Sequence, residues 1–163
     1  MKSLSKGILL TTKADKANSM VIGWGHLGIE WGSEIFVVYV REHRYTKSQL
    51  DKTKAFTVNI PLETLDPQIY TVCGSRSGKE IDKEQEAGLT YIPSETIDVP
   101  AVKECPLTLE CKVVFQKEQP VDQIDEQFAR YYPQDVDGSY PMANQDSHTA
   151  YYGKILRAYR IED

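Results

Sequence analysis

A chain of 163 residues has the length of one domain and can bury about 68–70% of the surface its unfolded form exposes, so it needs no metal or disulfide staple to fold. Hydrophobic residues at 40% and charged residues at 26% exclude a disordered polypeptide. Nineteen Lys and Arg against 24 Asp and Glu leave a formal net charge of −5, which argues against nucleic-acid binding, because that needs a basic face to neutralise phosphates.

In chain order, the start carries two lysines before an apolar stretch of only Ile8-Leu9-Leu10, too short for a signal-peptide core. Residues 7–13 and 19–24 read as strands. Gly23-Trp24-Gly25-His26-Leu27-Gly28 satisfies G-x-G-x-x-G, but Ile29-Glu30-Trp31-Gly32 follows and no helix opens to receive a pyrophosphate. A dinucleotide fingerprint is therefore rejected, and these glycines read as a turn or bulge. Residues 35–40 are continuously apolar, as expected of a strand buried on both faces. A basic loop follows, and Thr46 with Gln49 three residues later reads as a capping box opening a helix. Residues 55–60 read as a strand. Asp66-Pro67 opens a second helix that Gly74 is expected to stop. Gly74-Ser75-Arg76-Ser77-Gly78-Lys79 resembles a phosphate loop, but its glycines are one residue too close and Glu80 stands where Ser or Thr would bind magnesium. Asp82, Gln85 and Gly88 frame a third short helix. Residues 107–113 alternate and read as a half-buried strand that runs to 116, and residues 150–161 as a late strand.

No run of about 18 apolar residues exists to span a membrane. Cys73, Cys105 and Cys111 are too few and odd in number for a disulfide framework, which makes a reducing cytoplasm the expected setting. Cys73 has no charged neighbour in sequence and reads as structural. His26, His43 and His148 have no metal-ligand spacing, and no G-x-S-x-G elbow is present, so neither a metal centre nor a serine hydrolase is expected. Trp24 and Trp31 read as packing residues. Six strands with three short helices imply a mainly β fold: a closed or sandwiched core with helical decoration rather than a doubly wound sheet.

Charge is unevenly placed. Residues 41–54 hold five basic residues and two acidic ones, whereas residues 118–146 hold seven acidic residues and only Arg130. The acidic stretch reads as a lid, a dimer arm or a solvated loop. The basic stretch, Arg41-Glu42-His43-Arg44-Tyr45-Thr46-Lys47-Ser48, joins a buried strand to a helix start. Free amides and the helix dipole favour an anion there, Arg44 adds a planar bidentate donor, and Thr46 and Ser48 add hydroxyls. This unit points to a phosphate-bearing ligand.

Four blocks in order, Asn18-Ser19-Met20-Val21-Ile22-Gly23-Trp24-Gly25, Val40-Arg41-x-x-Arg44-Tyr45-Thr46, Phe56-Thr57-Val58-Asn59 and Gly74-x-x-Ser77-Gly78-Lys79-Glu80-Ile81-Asp82-Lys83, resemble the flavin reductase-like, flavoredoxin-type proteins. They cover roughly the first half of the chain, and His148-Thr149-x-Tyr151-Tyr152-Gly153 adds a weaker match. The resemblance implies an FMN-binding split β-barrel, Greek-key-like, forming one domain over 1–163 and usually a homodimer with flavin sites near the subunit interface. It nominates Asn18, Ser19, Met20, Val21 and Ile22 along the isoalloxazine. It nominates Arg41, Arg44, Tyr45, Thr46 and Ser48 at the phosphate, and Ser77, Gly78, Lys79 and Lys83 as approaching the flavin. Lys79 stands where Arg is commoner in the family. The function implied is an FMN-dependent oxidoreductase, an NAD(P)H-dependent flavin reductase or a flavoredoxin-like electron-transfer protein. Lys83 and His148 are the candidates for direct roles in the chemistry. The alternative is a binding protein for FMN or another phosphate-bearing molecule that does not turn over NAD(P)H.

Overall fold

A computed structural model describes residues 6–132 and 146–162. Strands β1 (Ile8–Lys13), β2 (Ala17–Ile22), β3 (Gly25–Glu30) and β4 (Ser33–Arg41) come first, then helix α1 (Tyr45–Thr53) and strand β5 (Ala55–Ile60). Helices α2 (Pro67–Ser75) and α3 (Lys83–Ala87) lead to the two-residue strands β6 (Tyr91–Ile92) and β7 (Ala101–Val102). The chain closes with β8 (Leu107–Gln119), 3₁₀ turns at Val121–Gln123 and Glu126–Tyr131, and β9 (His148–Arg160). Tyr140-Pro141, within the acidic stretch, lies outside the described residues.

Seven strands form one antiparallel sheet in the order β2-β1-β5-β8-β9-β4-β3. Strands β5, β8 and β9 are successive neighbours, and β4 lies beside β9, which is a Greek-key arrangement. β8 pairs with β5 along its first half and with β9 along its length, and bulges at Glu110/Cys111 and Val113/Phe115 bend it. The sheet curls round Ile8, Leu10, Phe36, Val38, Val40, Leu50, Phe56, Val58 and Tyr151. This is the mainly β, split-barrel architecture that the sequence implies, open between the edge strands β2 and β3. Gly153 lets β9 cross the core: a Cβ there would stand 2.3 Å from the ring of Phe56 and 2.9 Å from Cys111 Cβ.

A second apolar layer joins Leu9 to Ile69, Val72 and Cys73 of α2, to Ala87 of α3, and to Ile81, Leu89, Val102 and Cys105. The three cysteines are buried, and burial pushes each thiol up, Cys105 to about 12. Asn59 is buried at the centre of a satisfied polar network. Its Nδ2 donates to the Thr11 and Thr57 hydroxyls at 3.0 and 2.9 Å, and its Oδ1 accepts the Val102 amide at 3.0 Å.

Local rules and structure part at several points. α1 begins at Tyr45, not after a Thr46 cap, and no side chain among the described residues caps it. Thr46 and Gln49 are claimed by tertiary partners instead: the Thr46 hydroxyl accepts from Asn18 Nδ2 at 2.9 Å, and Gln49 Nε2 donates to the Lys16 carbonyl at 2.8 Å. Gly74 does not stop α2, which runs to Ser75 because the Arg76 amide still closes a bond to the Val72 carbonyl at 3.1 Å. Asp82 caps the Glu84 and Gln85 amides, and Gly88 ends α3 at φ 67°, as expected. The glycine-rich stretch rejected as a fingerprint is strand β3. It turns into β4 through Trp31 and Gly32, both left-handed at φ 51° and 66°. Trp31 is exposed rather than packed in the core, and Trp24 is 40% exposed.

The alternation of residues 107–113 implied one wet face, yet residues 108–111 are all buried. Glu110 explains this, because the Glu95–Thr96 loop covers its face. The carboxylate accepts the Glu95 and Thr96 amides at 3.0 and 2.7 Å and the Thr96 hydroxyl. Burial pushes this carboxyl up, but the bonds from Thr96 and Glu95 outweigh burial and hold it below its ordinary 4.5. A folded-state value below the unfolded one adds stability above pH 4.5 that is lost as pH falls toward the folded value. Glu110→Gln is therefore expected to cost about 1–3 kcal/mol in urea unfolding at pH 7. That difference from wild type should narrow below pH 4.5, and a cost that does not change with pH contradicts this role.

Candidate functional site

The site is built where α1, β2 and the loop after α2 meet. β2 is an edge strand, so one row of its backbone groups has no ladder partner. Asn18 on β2 is buried and bonds the Thr46 hydroxyl in the first turn of α1. Gly78 closes on the same amide: a Cβ there would lie 1.9 Å from Asn18 Oδ1, so only glycine fits. The three segments enclose a cavity of about 110 Å³ lined by Asn18, Met20, Val21, Arg44, Tyr45, Thr46, Ser77, Gly78 and Lys83, with His43, Cys73, Gly74 and Arg76.

Met20, Val21 and Arg44 also line an adjoining groove of about 260 Å³, which continues past Ile22, Trp24, Tyr39 and Arg41 to His148. Strand geometry places this wall. Arg41 pairs with His148 and Tyr39 with Ala150 in the β4–β9 ladder, and residues two apart share a face. Ser19, Ser48 and Lys79 line neither space. The buried Ser19 hydroxyl bonds Thr11 at 2.7 Å and Tyr91 at 3.0 Å, Ser48 donates to the Tyr45 carbonyl at 2.7 Å, and Lys79 is exposed.

The electrostatics concentrate positive charge. The amides of Tyr45 and Thr46 open α1 without a side-chain cap, and the dipole adds partial positive charge there. Arg44 is half-buried beside them. Among the described residues no hydrogen bond or ion pair holds its guanidinium, and burial lowers its pKa. Lys83 is 2% exposed, and its ammonium donates to the Val72 and Cys73 carbonyls at 3.1 and 3.3 Å, where α2 ends. Burial brings it down to about 8, with Arg44 and Arg76 adding to the shift against the pull of Cys73, so it is mostly protonated at pH 7. Burial also takes His148 down to about 4, with Arg41 and Arg44 nearby, which leaves it neutral at pH 7. Its Nδ1 lies 3.1 Å from the Tyr132 hydroxyl, and its ring 4.9 Å from Trp24.

One anion already sits at the mouth of the cradle. Asp146 Oδ2 accepts the His43 amide at 2.7 Å and lies 2.6 Å from His43 Nδ1, while its Oδ1 is buried with no partner among the described residues. Arg41 reaches the same stretch and donates to the Asp146 and Tyr131 carbonyls at 2.9 and 2.7 Å. Sequence reasoning missed Tyr39, Arg76 and Asp146. The period-two relation of Tyr39 to Arg41 was a usable signal, whereas nothing local marks Asp146. Among the described residues no cluster of His, Cys, Asp and Glu could hold a metal, and no helix is long and apolar enough to cross a membrane.

This geometry agrees with the comparisons. An uncharacterized protein of Archaeoglobus fulgidus is 29% identical over 110 residues, 68% of this chain and 61% of its own length. The match thus spans about three-fifths of that curated relative. Flavoredoxin from Methanosarcina acetivorans superposes with a TM-score of 0.69 at 25% identity, covering 96% of this chain and 68% of its own. An FMN-binding domain of a flavin reductase-like enzyme from Shewanella baltica OS155 does so at 0.64 and 15% identity, covering 94% and 68%, a likeness of fold. Residues 1–163 match the flavin reductase-like domain, and the chain belongs to that family.

Proposed function

We propose that the chain is an FMN-binding oxidoreductase, working as an NAD(P)H-dependent flavin reductase or a flavoredoxin-like electron-transfer protein. The observation that carries this reading is the Arg44 guanidinium, half-buried without an ion-pair partner among the described residues, beside the uncapped amides of Tyr45 and Thr46. Phosphate is the anion whose geometry suits a planar fork plus two amides. The Asp146 carboxylate on the His43 amide supports the same point, because an anion is favoured at this helix mouth.

The rest of the site fits an elongated flavin. The groove runs from the cradle along Met20, Val21 and Ile22, whose edge-strand backbone offers donors and acceptors to a heterocycle rim. Ser77 and Gly78 wall the other side, and the Lys83 ammonium places positive charge on the cavity floor. FMN held there would supply the redox chemistry, taking a hydride from a reduced nicotinamide and passing electrons to an acceptor. The protein's part is to bind, orient and exclude water. Neutral His148 is a hydrogen-bonding wall at pH 7 rather than a proton donor of imidazolium type. Homodimerisation belongs to the same proposal. Leu27, Ile29 and Trp31 of the β3 hairpin are 64%, 72% and 62% exposed, an apolar surface that a second copy would cover.

Arg44→Ala is expected to weaken FMN binding about tenfold to a hundredfold in a fluorescence titration, and to leave riboflavin, which has no phosphate, unaffected. Equal loss for both ligands, or none for either, contradicts the phosphate assignment. Gly78→Val should force Asn18 off Thr46 and weaken both flavins together, whereas unchanged affinity removes this contact from the site. Anaerobic addition of NADH or NADPH should bleach the visible band of bound flavin. Bound flavin that neither donor reduces favours an FMN carrier instead.

A further inference from the structure

Beyond the cradle and groove lies a third space that the cofactor reading does not use. It has a volume of about 390 Å³ and is walled by Trp24, Tyr39, Ile124, Phe128, Tyr131 and Tyr132. Trp24 and Tyr39 are shared with the groove beside His148, so the two spaces are continuous. The Trp24 and Tyr131 rings meet at 88° with centroids 5.3 Å apart, a corner of one face and one edge. Phe128 and Tyr131 are 46% and 39% exposed, an unusual outlay of aromatic surface in a chain this rich in charge.

The polar chemistry of the corner is specific. No charged side chain lines it. The nearest cations are engaged: Arg41 donates to two carbonyls and lies over Tyr132, and Arg130 lies over the Tyr131 ring at 4.9 Å while donating to its hydroxyl at 3.1 Å. A phenol that accepts from a guanidinium keeps its own proton to give, so Tyr131 offers a donor to a ligand oxygen. The Tyr132 hydroxyl is already matched to His148.

We infer that this corner is a binding site for a planar, uncharged aromatic molecule bearing a carbonyl oxygen, which lies against Trp24 and Phe128 and accepts from Tyr131. A flat ring satisfies both walls, and a carboxylate or phosphate finds no free cation there. The site opens on the proposed cofactor groove, so it deepens that reading by naming the class of molecule that approaches the flavin. Binding to the corner does not itself need flavin, which lets the two claims fail separately.

The test is NMR of the full chain with ¹⁵N-labelled indoles, titrated with acetophenone, with and without FMN. The chain has two tryptophans, so Trp31, in the β3–β4 turn, is an internal control. The Trp24 indole resonance should shift saturably while that of Trp31 stays fixed. Benzoate should bind at least about tenfold more weakly, as one unpaired charge requires. Phe128→Ala should weaken acetophenone about fivefold or more, and its retained FMN binding shows that the fold is intact. No saturable shift at Trp24, equal binding of benzoate, or equal movement of both indoles overturns the proposal. A Trp24 shift that follows protein concentration without ligand assigns the corner to a second copy and also overturns it. Failure of FMN to bind would sink the cofactor reading alone.

Discussion

One buried hydrogen bond sets the geometry of the site: Asn18 Nδ2 to Thr46 Oγ1, 2.9 Å, with Gly78 closed against the same amide. It joins an edge strand, a helix N-terminus and a loop that are far apart in sequence. A neutral hydrogen bond of this kind contributes about 1 kcal/mol to stability, but breaking it would strand a buried amide and release α1 from β2. The first-turn amides of α1 then face the β2 edge at a fixed distance. That distance is what turns two ordinary features, an uncapped helix and an unpaired strand edge, into one ligand-sized cleft.

Charge follows from that arrangement. The chain is acidic overall, yet Arg44, Arg76 and Lys83 surround one small cavity, and their mutual repulsion adds to burial in lowering Lys83 to about 8. Holding like charges together costs stability and is offset when an anion arrives. Asp146 accepts at the edge of the same field, while Arg41 ties its carbonyl and that of Tyr131 to β4. The flavin reductase-like domain thus presents cationic, backbone-lined and aromatic zones in sequence along one groove.

Much of this was legible in the sequence, for identifiable reasons. The apolar run at 35–40 and the β-rich segment at 55–60 became central strands because their side chains had no alternative to burial. Asp82 and Gly88 framed α3 because both caps act within one turn. Thr46 misled because its hydroxyl is used across the fold rather than along the helix, a choice that no local rule can see. β3 was missed because Gly25 and Gly28 weaken its strand signal and because its apolar side chains stay exposed in the single chain. Lys83 was legible as a candidate but not as the group that holds the end of α2, which depends on carbonyls of Val72 and Cys73. Gly78 was nominated by its motif, while its reason, the missing 1.9 Å to Asn18, exists only in three dimensions.

The central claim is that this cleft holds FMN, and the visible absorbance spectrum of the purified protein tests it most directly. The spectrum is recorded after FMN is added and the excess is removed by gel filtration. The account predicts that a flavin spectrum elutes with the protein at near-stoichiometric amount. Protein that emerges colourless at micromolar concentration would contradict the account and leave the Arg44 cradle to another anion.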